Sequence, residues 1–242
     1  HTPYEPPEPF FSEYNTGQFG LYDGEIAFMD EQIGRVFSWL KEKGLTRKTF
    51  IALIGDHGEG LRDHGEWEHG YFIYDYATQV PFLIVTPFRE FMGKRVSSQV
   101  RTVDLYPTLL EMAGIEIPKQ NQGESLLDML FHSDKSIESY AYCESLTPNI
   151  QYNWSPLYSL RTPRYKYIAA PRAEFYDLEK DPGEQTNIIE TSPGIAKKFK
   201  ETLDRMIEQT SLEAPKPEAA NIDQETLSKL AALGYIGAPV ST

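Results

Sequence analysis

Residues Phe50–Val85 read FIALIGDHGEGLRDHGEWEHGYFIYDYATQVPFLIV. The apolar run up to Ile54 has the composition of a buried strand, and Gly55 ends it. Asp56 and His57 follow side by side. Open α/β sheets bind ligands just outside the carboxyl ends of their strands, so a carboxylate and an imidazole delivered there read as chemistry. Three of the chain's five histidines, His57, His64 and His69, fall in this one glycine-punctuated stretch, a concentration that reads as a metal-dependent active site. Asp56 offers a hard oxygen and His57 a borderline nitrogen, a pair suited to a divalent cation. Gly55, Gly58 and Gly60 would let the backbone turn sharply and approach a bound anion closely. The competing reading makes Asp56 the cap of a following helix and His57 a hydrogen-bonded core residue.

Working outward, Ile26, Met29, Ile33, Val36, Phe37 and Leu40 recur at helical spacing. They predict a helix over about Tyr22–Lys43 with one buried face, stopped by Gly44. Strand Thr49–Ile54 follows, in the α-then-β order of a parallel sheet covered by helices. Phe82–Val85 reads as a second buried strand, and Tyr74–Gln79 as a helical turn between the two. Arg101–Ala113 reads as a helix that Pro107 kinks or restarts.

From Ser136 the pattern changes to short runs rich in Tyr and Ile, separated by Pro, Asn and Gly. Ser139–Tyr142, Leu157–Leu160, Tyr165–Ala169 and Ala173–Asp177 predict an antiparallel sheet. A helix over Ser192–Glu208 follows, capped by Ser192 and started by Pro193. Its buried face is Ile195, Phe199, Leu203, Met206 and Ile207. Ser211–Ala220, with two prolines, reads as a linker, and Asp223–Leu233 as a short helix. The expected class is therefore α/β: a mixed, mainly parallel sheet flanked by helices, plus a small carboxyl-terminal antiparallel sheet subdomain. The expected divisions are 1–135 for the α/β core, 136–210 for the sheet-plus-helix subdomain, and 211–242 for linker and tail.

The 242 residues carry 40% hydrophobic side chains, enough for a sizeable core, and a net charge of −13. That charge disfavours nucleic acid and anionic membrane surfaces as partners, since both require clustered Lys and Arg. It does not disfavour an anionic ester, because a bound metal inverts the local field. No run of about 18 apolar residues is present, so no transmembrane helix is expected. The single cysteine, Cys143, excludes an internal disulfide and reads as a small strand residue.

The pieces Asp56-His57-Gly58-Glu59, Asp63-His64-Gly65, His69-Gly70 and Val80-Pro81-Phe82 resemble the sulfatase family of the alkaline phosphatase superfamily. Its members carry a D-[NH]-G-E metal motif, a G-E-H-G-like turn, a Lys or His, and a V-P-hydrophobic strand in that order. His1-Thr2-Pro3-Tyr4 resembles the family's H-x-P-Y segment. Leu160-Arg161-Thr162 through Lys166-Tyr167, then Phe175-Tyr176-Asp177-Leu178, Asp181-Pro182-Gly183-Glu184 and Asn187, resemble its carboxyl-terminal signature. The motifs span most of residues 1–190 in the family's order.

The resemblance implies an alkaline-phosphatase-like fold and metal-assisted nucleophilic hydrolysis of a sulfate ester. Phosphate or phosphonate esters are the alternative substrates, and a non-catalytic binding or assembly fragment is the alternative role. Asp56 and His57 match the metal ligands. The metal is calcium by analogy, with manganese or zinc admitted by the His57 nitrogen. His69 stands where many sulfatases carry a lysine that touches the anion. It reads as an anion contact or leaving-group acid, or else as a ligand to a second metal. His1 matches the substrate-facing histidine, and His64 and Glu59 read as supports behind the ligands. Arg161 and Lys166 either reach an anion or are solvated cross-strand charges.

Cys143 lacks the C-x-P-x-R context of the family's converted nucleophile. That nucleophile, and an aspartate pair completing the metal shell, belong to an amino-terminal half in the family. The expectation is thus a carboxyl-terminal part of a longer enzyme, partnered by the missing half. Alone it would be inactive, weak in metal binding and prone to self-associate. Family analogy points to a periplasmic or secreted setting.

Overall fold

The computed structural model describes residues 3–88, 91–132, 139–213, 223, 225 and 226. The chain divides into two compact units, His1–Leu203 and Asp204–Thr242. In the first unit, helices α1 (Phe10–Tyr14) and α2 (Gly20–Glu42) precede strand β1 (Ile51–Ile54). The short helix α3 (Asp75–Thr78) leads to strand β2 (Phe82–Val85), and α4 (Leu105–Met112) and α5 (Leu127–Phe131) follow. The four strands β3 (Ala141–Ser145), β4 (Leu157–Arg161), β5 (Tyr165–Ala169) and β6 (Glu174–Asp177) come next. Helix α6 (Thr147–Tyr152) lies between β3 and β4, and α7 (Pro193–Glu213) follows β6.

β1 and β2 pair antiparallel, Ile51 opposite Val85 and Ile54 opposite Phe82. Helix-then-strand order predicts a parallel neighbour, but a parallel pair requires a crossover back to the strand's starting end. Residues 55–81 make no such return: they leave β1 and enter β2 at the same end. Helix α2 forms as its periodicity predicts, and Leu40 is buried. Ile26, Met29 and Val36 of the same stripe are instead exposed, as is Trp39. Pro107 is buried in the first turn of α4, where its missing N–H is harmless. A 3-10 turn over Thr102–Asp104 precedes that helix, so the proline restarts the element rather than kinking it.

The second sheet is an antiparallel meander in the order β3-β4-β5-β6. Its pairing puts Leu160, Tyr167 and Phe175 on one face and Arg161, Lys166, Ile168 and Tyr176 on the other. Helix α7 covers the first face. The Phe199 ring meets Phe175 at 5.3 Å and Tyr140 at 5.6 Å, edge-on in both cases. Ala196, Phe199 and Leu203 are buried there, while Ile195 is exposed. Burying such a Phe or Leu contributes roughly 1.5–3 kcal/mol each. The opposite face packs through Ile168, Tyr176 and Leu178 on Ile73, with Tyr74, Cys143 and Leu157 around them. The segment that follows His69 is therefore seated on this sheet.

Helix α7 runs to Glu213, past the expected stop at Glu208 and into the expected linker. Residues 214–220 lie outside the described residues. Of the short helix expected over Asp223–Leu233, only Asp223, Glu225 and Thr226 are described. The Asp223 carboxylate accepts the Thr226 N–H at 2.7 Å, a cap-type contact. No helix among the described residues is long and apolar enough to cross a membrane.

Candidate active site

The Gly55 N–H bonds the Pro81 carbonyl at 3.0 Å just beyond β1, and the chain then turns out to present Asp56. That side chain is 75% exposed. Its Oδ1 accepts the His57 backbone N–H at 3.1 Å and lies 3.8 Å from His57 Nε2. The other ring nitrogen, Nδ1, meets the Gly58 carbonyl at 2.8 Å. A carbonyl only accepts, so Nδ1 carries the proton and Nε2 of the neutral ring carries the lone pair. A carboxylate oxygen and an imidazole lone-pair nitrogen thus sit close together at the strand's carboxyl end.

Glu59 and His69 complete the group. The Glu59 side chain is only 5% exposed, and its Oε1 holds His69 Nδ1 at 3.1 Å. The His69 and His57 rings stack with centroids 3.7 Å apart and planes 23° from parallel. Asp56, His57, Glu59 and His69 therefore gather in one place. No group of three or more His, Cys, Asp or Glu side chains arranged to hold a metal occurs among the described residues. His1 lies outside the described residues, and His132 is exposed.

Gly58 and Gly60 of this loop allow a close approach of the protein's own backbone. The Gly58 N–H bonds the Ala77 carbonyl at 2.8 Å, and a β-carbon at Gly58 would sit 1.9 Å from the Tyr76 carbonyl oxygen. One at Gly60 would meet the Glu66 and Glu68 carbonyl oxygens at 2.5 and 2.6 Å. Between them and His69 the chain takes left-handed conformations at Leu61, Arg62 and His64, which cost non-glycine residues energy and persist only where surroundings impose them.

His64 stands apart from this group. Its ring stacks on Tyr74 at 3.7 Å, and Nε2 donates to the Glu184 carbonyl at 2.9 Å. Buried Glu66 takes the Tyr71 N–H at 2.8 Å, the Phe72 N–H at 3.4 Å and the Tyr76 hydroxyl. It is a loop-holding residue that sequence reasoning missed.

Arg161 and Lys166 are neither anion contacts nor solvated charges. They are cross-strand partners in register, but both turn onto Asp75. Arg161 grips its carboxylate through Nε at 3.1 and 3.0 Å and Nη2 at 2.9 Å. The Lys166 side chain, 1% exposed, reaches Asp75 Oδ1 and Glu184 Oε1 at 2.9 Å each. Burial pushes the Asp75 carboxyl up, yet Arg161 and Lys166 outweigh it and hold it below its ordinary value. Burial pushes the Glu184 carboxyl above its ordinary value, against the pull of Lys166. The signal was present in the carboxyl-terminal signature, whose Arg161-to-Lys166 and Asp181-to-Glu184 segments both supply this cluster.

A cleft of about 620 Å³ opens beside the His69 loop, lined by Trp67, Phe72, Tyr74, Trp154, Leu157 and Arg172 among others. Glu68 and Tyr71, on either side of His69-Gly70, also line it. Trp67 and Trp154 are 56% and 62% exposed, and the Arg62 guanidinium lies 3.6 Å from the centre of the Trp67 ring.

The N-sulphoglucosamine sulphohydrolase C-terminal family model matches residues 63–211, and the Sulfatase model matches residues 1–115. The chain belongs to the sulfatase family, and its fold is the alkaline-phosphatase-like α/β fold. It is similar to arylsulfatase K of Bos taurus, with 29% identity over 86% of this chain and 42% of the relative. It also resembles a solved structure in complex with its substrate D-glucosamine-2-N,6-O-disulfate. That match has a TM-score of 0.62, with 30% identity over 79% of this chain and 40% of the other. The phosphonate monoester hydrolase of Agrobacterium radiobacter aligns with a TM-score of 0.66. Its identity is 25% over 78% of this chain and 41% of the hydrolase. The chain thus spans less than half the length of each of these relatives.

Proposed function

We propose that this chain is the carboxyl-terminal part of a metal-dependent hydrolase that cleaves sulfate esters. The observation that carries the reading is the pairing of two sets of side chains. Asp56 and His57 offer an oxygen and a nitrogen 3.8 Å apart, and His69, tethered by Glu59, stacks directly on His57.

The pair fits a divalent cation by its donor chemistry. A metal-binding histidine typically gives its second ring N–H to a carbonyl or carboxylate, and His57 does so at Gly58. Asp56 and His57 would hold the ion. The remaining ligands and the nucleophile would come from the rest of the enzyme, the expected partner of this chain. The donor set admits calcium, manganese or zinc. When bound, the ion supplies Lewis-acid polarisation of the ester oxygens. His69 in this reading contacts the anion or moves a proton at the leaving oxygen through Nε2, since Glu59 engages Nδ1. Glu59 and His64 are supports: one fixes the His69 tautomer, the other anchors the loop.

The half-open indoles of the cleft suit the alcohol portion of the ester. Sugar rings present apolar faces that stack on such surfaces, and the glucosamine disulfate bound by a structural relative supports a carbohydrate sulfate as the substrate class. The phosphonate hydrolase likeness supports phosphonate or phosphate esters as the second reading.

The test is hydrolysis of matched aryl sulfate, phosphate and phosphonate esters by the full-length enzyme with each metal added in turn. Sulfate should have the highest kcat/KM. A phosphonate or phosphate preference would replace the leading reading by the second. No turnover of any ester would favour a binding or assembly role.

A further inference from the structure

We infer that Lys166 is a positioning residue, which through two buried carboxylates sets the backbone on either side of Glu59, at Gly58 and at His64. The inference rests on the reading of His57, Glu59 and His69 as the active site.

Two branches leave the Lys166 ammonium. The first runs to Asp75 Oδ1 at 2.9 Å. Asp75 opens helix α3, whose Ala77 carbonyl accepts the Gly58 N–H at 2.8 Å. The Tyr76 carbonyl presses so close to Gly58 that no β-carbon fits. Gly58 lies between His57 and Glu59, so any displacement of α3 is passed to both. The second branch runs to Glu184 Oε1 at 2.9 Å. The Glu184 carbonyl holds His64 Nε2 at 2.9 Å, at the left-handed turn midway between Glu59 and His69. The two branches are closed on each other, because the Asp75 N–H donates to Glu184 Oε2 at 2.5 Å.

Stability alone does not explain the arrangement. Position 166 shares its sheet face with Ile168 and Tyr176, where an apolar residue would pack without desolvating an ion. Replacing a buried ion cluster by apolar groups is often neutral or stabilising. What the ions supply and an apolar residue does not is a short-range ionic link to both carboxylates, hydrogen-bonded at Asp75. A loop held by left-handed residues at Leu61, Arg62 and His64 needs such external links to keep one conformation.

The test compares Lys166→Met, Lys166→Arg and Leu203→Ala in the full-length enzyme, with aryl sulfate as the probe substrate. Leu203 lies on the buried face of helix α7, on the opposite side of the sheet and outside both branches, and its truncation reports plain loss of packing. Lys166→Met should lower kcat by about 10–100-fold, the scale of a small misplacement of catalytic groups, while KM changes far less. Hydrogen exchange at the Gly58 and His64 amides should accelerate. Lys166→Arg should recover part of kcat, and Leu203→Ala should keep kcat at a similar loss of Tm. If Lys166→Met fails to fold, Asp75→Asn and Glu184→Gln read the two branches separately, each expected to lower kcat. Unchanged kcat in the Lys166, Asp75 or Glu184 variant that folds would overturn the inference, as would an equal loss in Leu203→Ala. An inactive parent enzyme would instead overturn the functional reading, and would leave the hydrogen-exchange difference to decide the link.

Discussion

The imidazole of His57 lies against that of His69, 3.7 Å between ring centres, and each ring is tied at Nδ1 from its own side. The Gly58 carbonyl holds one and the Glu59 carboxylate the other. Neither ring turns without giving up both its hydrogen bond and the stack. The two Nε2 atoms are therefore oriented before any substrate arrives, a precondition for placing groups to within a fraction of an ångström.

Glu59→Gln should separate orientation from charge. The amide keeps the shape but presents either an oxygen or an N–H to His69, so the tautomer is no longer fixed by a carboxylate. Loss of such a supporting contact typically costs about 10–100-fold in activity. We expect kcat of the full-length enzyme to fall by that order and its pH profile to move. An unaltered profile at full kcat would remove Glu59 from the mechanism.

Asp56→Ala should abolish metal-dependent turnover while leaving the fold alone. The side chain is 75% exposed, and its one described hydrogen bond is to the adjacent N–H. The expected change in stability is within about 0.5 kcal/mol. Calorimetric metal titration should show the loss of affinity, and thermal melts should superimpose. In the parent enzyme a chelator should stop turnover and added divalent ion restore it.

Gly58→Ala addresses the backbone contact directly. Its β-carbon would fall 1.9 Å from a carbonyl oxygen, and a backbone atom cannot swing aside as a side chain does. Overpacking of this kind costs about 1–3 kcal/mol or more. Since α3 must move, activity should fall together with Tm. A variant melting with the parent would contradict the tight approach.

Acid should act on the buried cluster with a definite sign. The Asp75 carboxyl is held below its ordinary value of 3.8. Its contribution to stability is complete above that value and is lost as pH falls through the lower folded one. Glu184 runs the other way: raised above 4.5, it favours the fold at low pH and loses that contribution as pH rises. Asp75→Asn removes the first contribution and, by removing a neighbouring negative charge, also lessens the upward push on Glu184. The Tm gap between parent and variant should shrink on acidification below the ordinary aspartate range. A gap independent of pH would show that Asp75 contributes through shape alone.

The apolar stripe of α2 offers a prediction about the chain by itself. Ile26, Met29, Val36 and Trp39 are exposed on one helix, and Leu83 and Val85 on β2. Apolar patches beyond a few hundred Å², roughly, promote association. The 242 residues alone should sediment as oligomers and gain solubility when expressed with the rest of the enzyme. A stable, monodisperse monomer with full esterase activity would sink this expectation and the placement of the nucleophile outside the chain.

Local pattern was enough to read several elements from the residues alone. Period-3.6 recurrence located α2, the Ser192-Pro193 pair located the start of α7, and alternation among Tyr and Ile located the antiparallel strands. Asp56 and His57 are neighbours at a strand end, so their proximity needed no tertiary information. Helix α6 was missed because Pro148 reads as a breaker between strands, whereas a proline in the first turn begins a helix at no cost.

Long-range relations were another matter. Lys166 is a lysine in an alternating strand, and composition alone puts such a residue in solvent. Only the approach of Asp75 and Glu184, 91 residues before and 18 after it in the sequence, makes its burial tolerable. The antiparallel direction of β1 and β2, the stacking of His57 on His69 and the cleft between Trp67 and Trp154 are likewise set by how distant segments meet. The sequence by itself determined most of the segments that become helix or strand and which side chains are candidates for the chemistry, because those follow from neighbours along the chain. Which charges are buried together, which rings touch and where a ligand fits were decided by the tertiary structure, because desolvation and packing depend on neighbours in space.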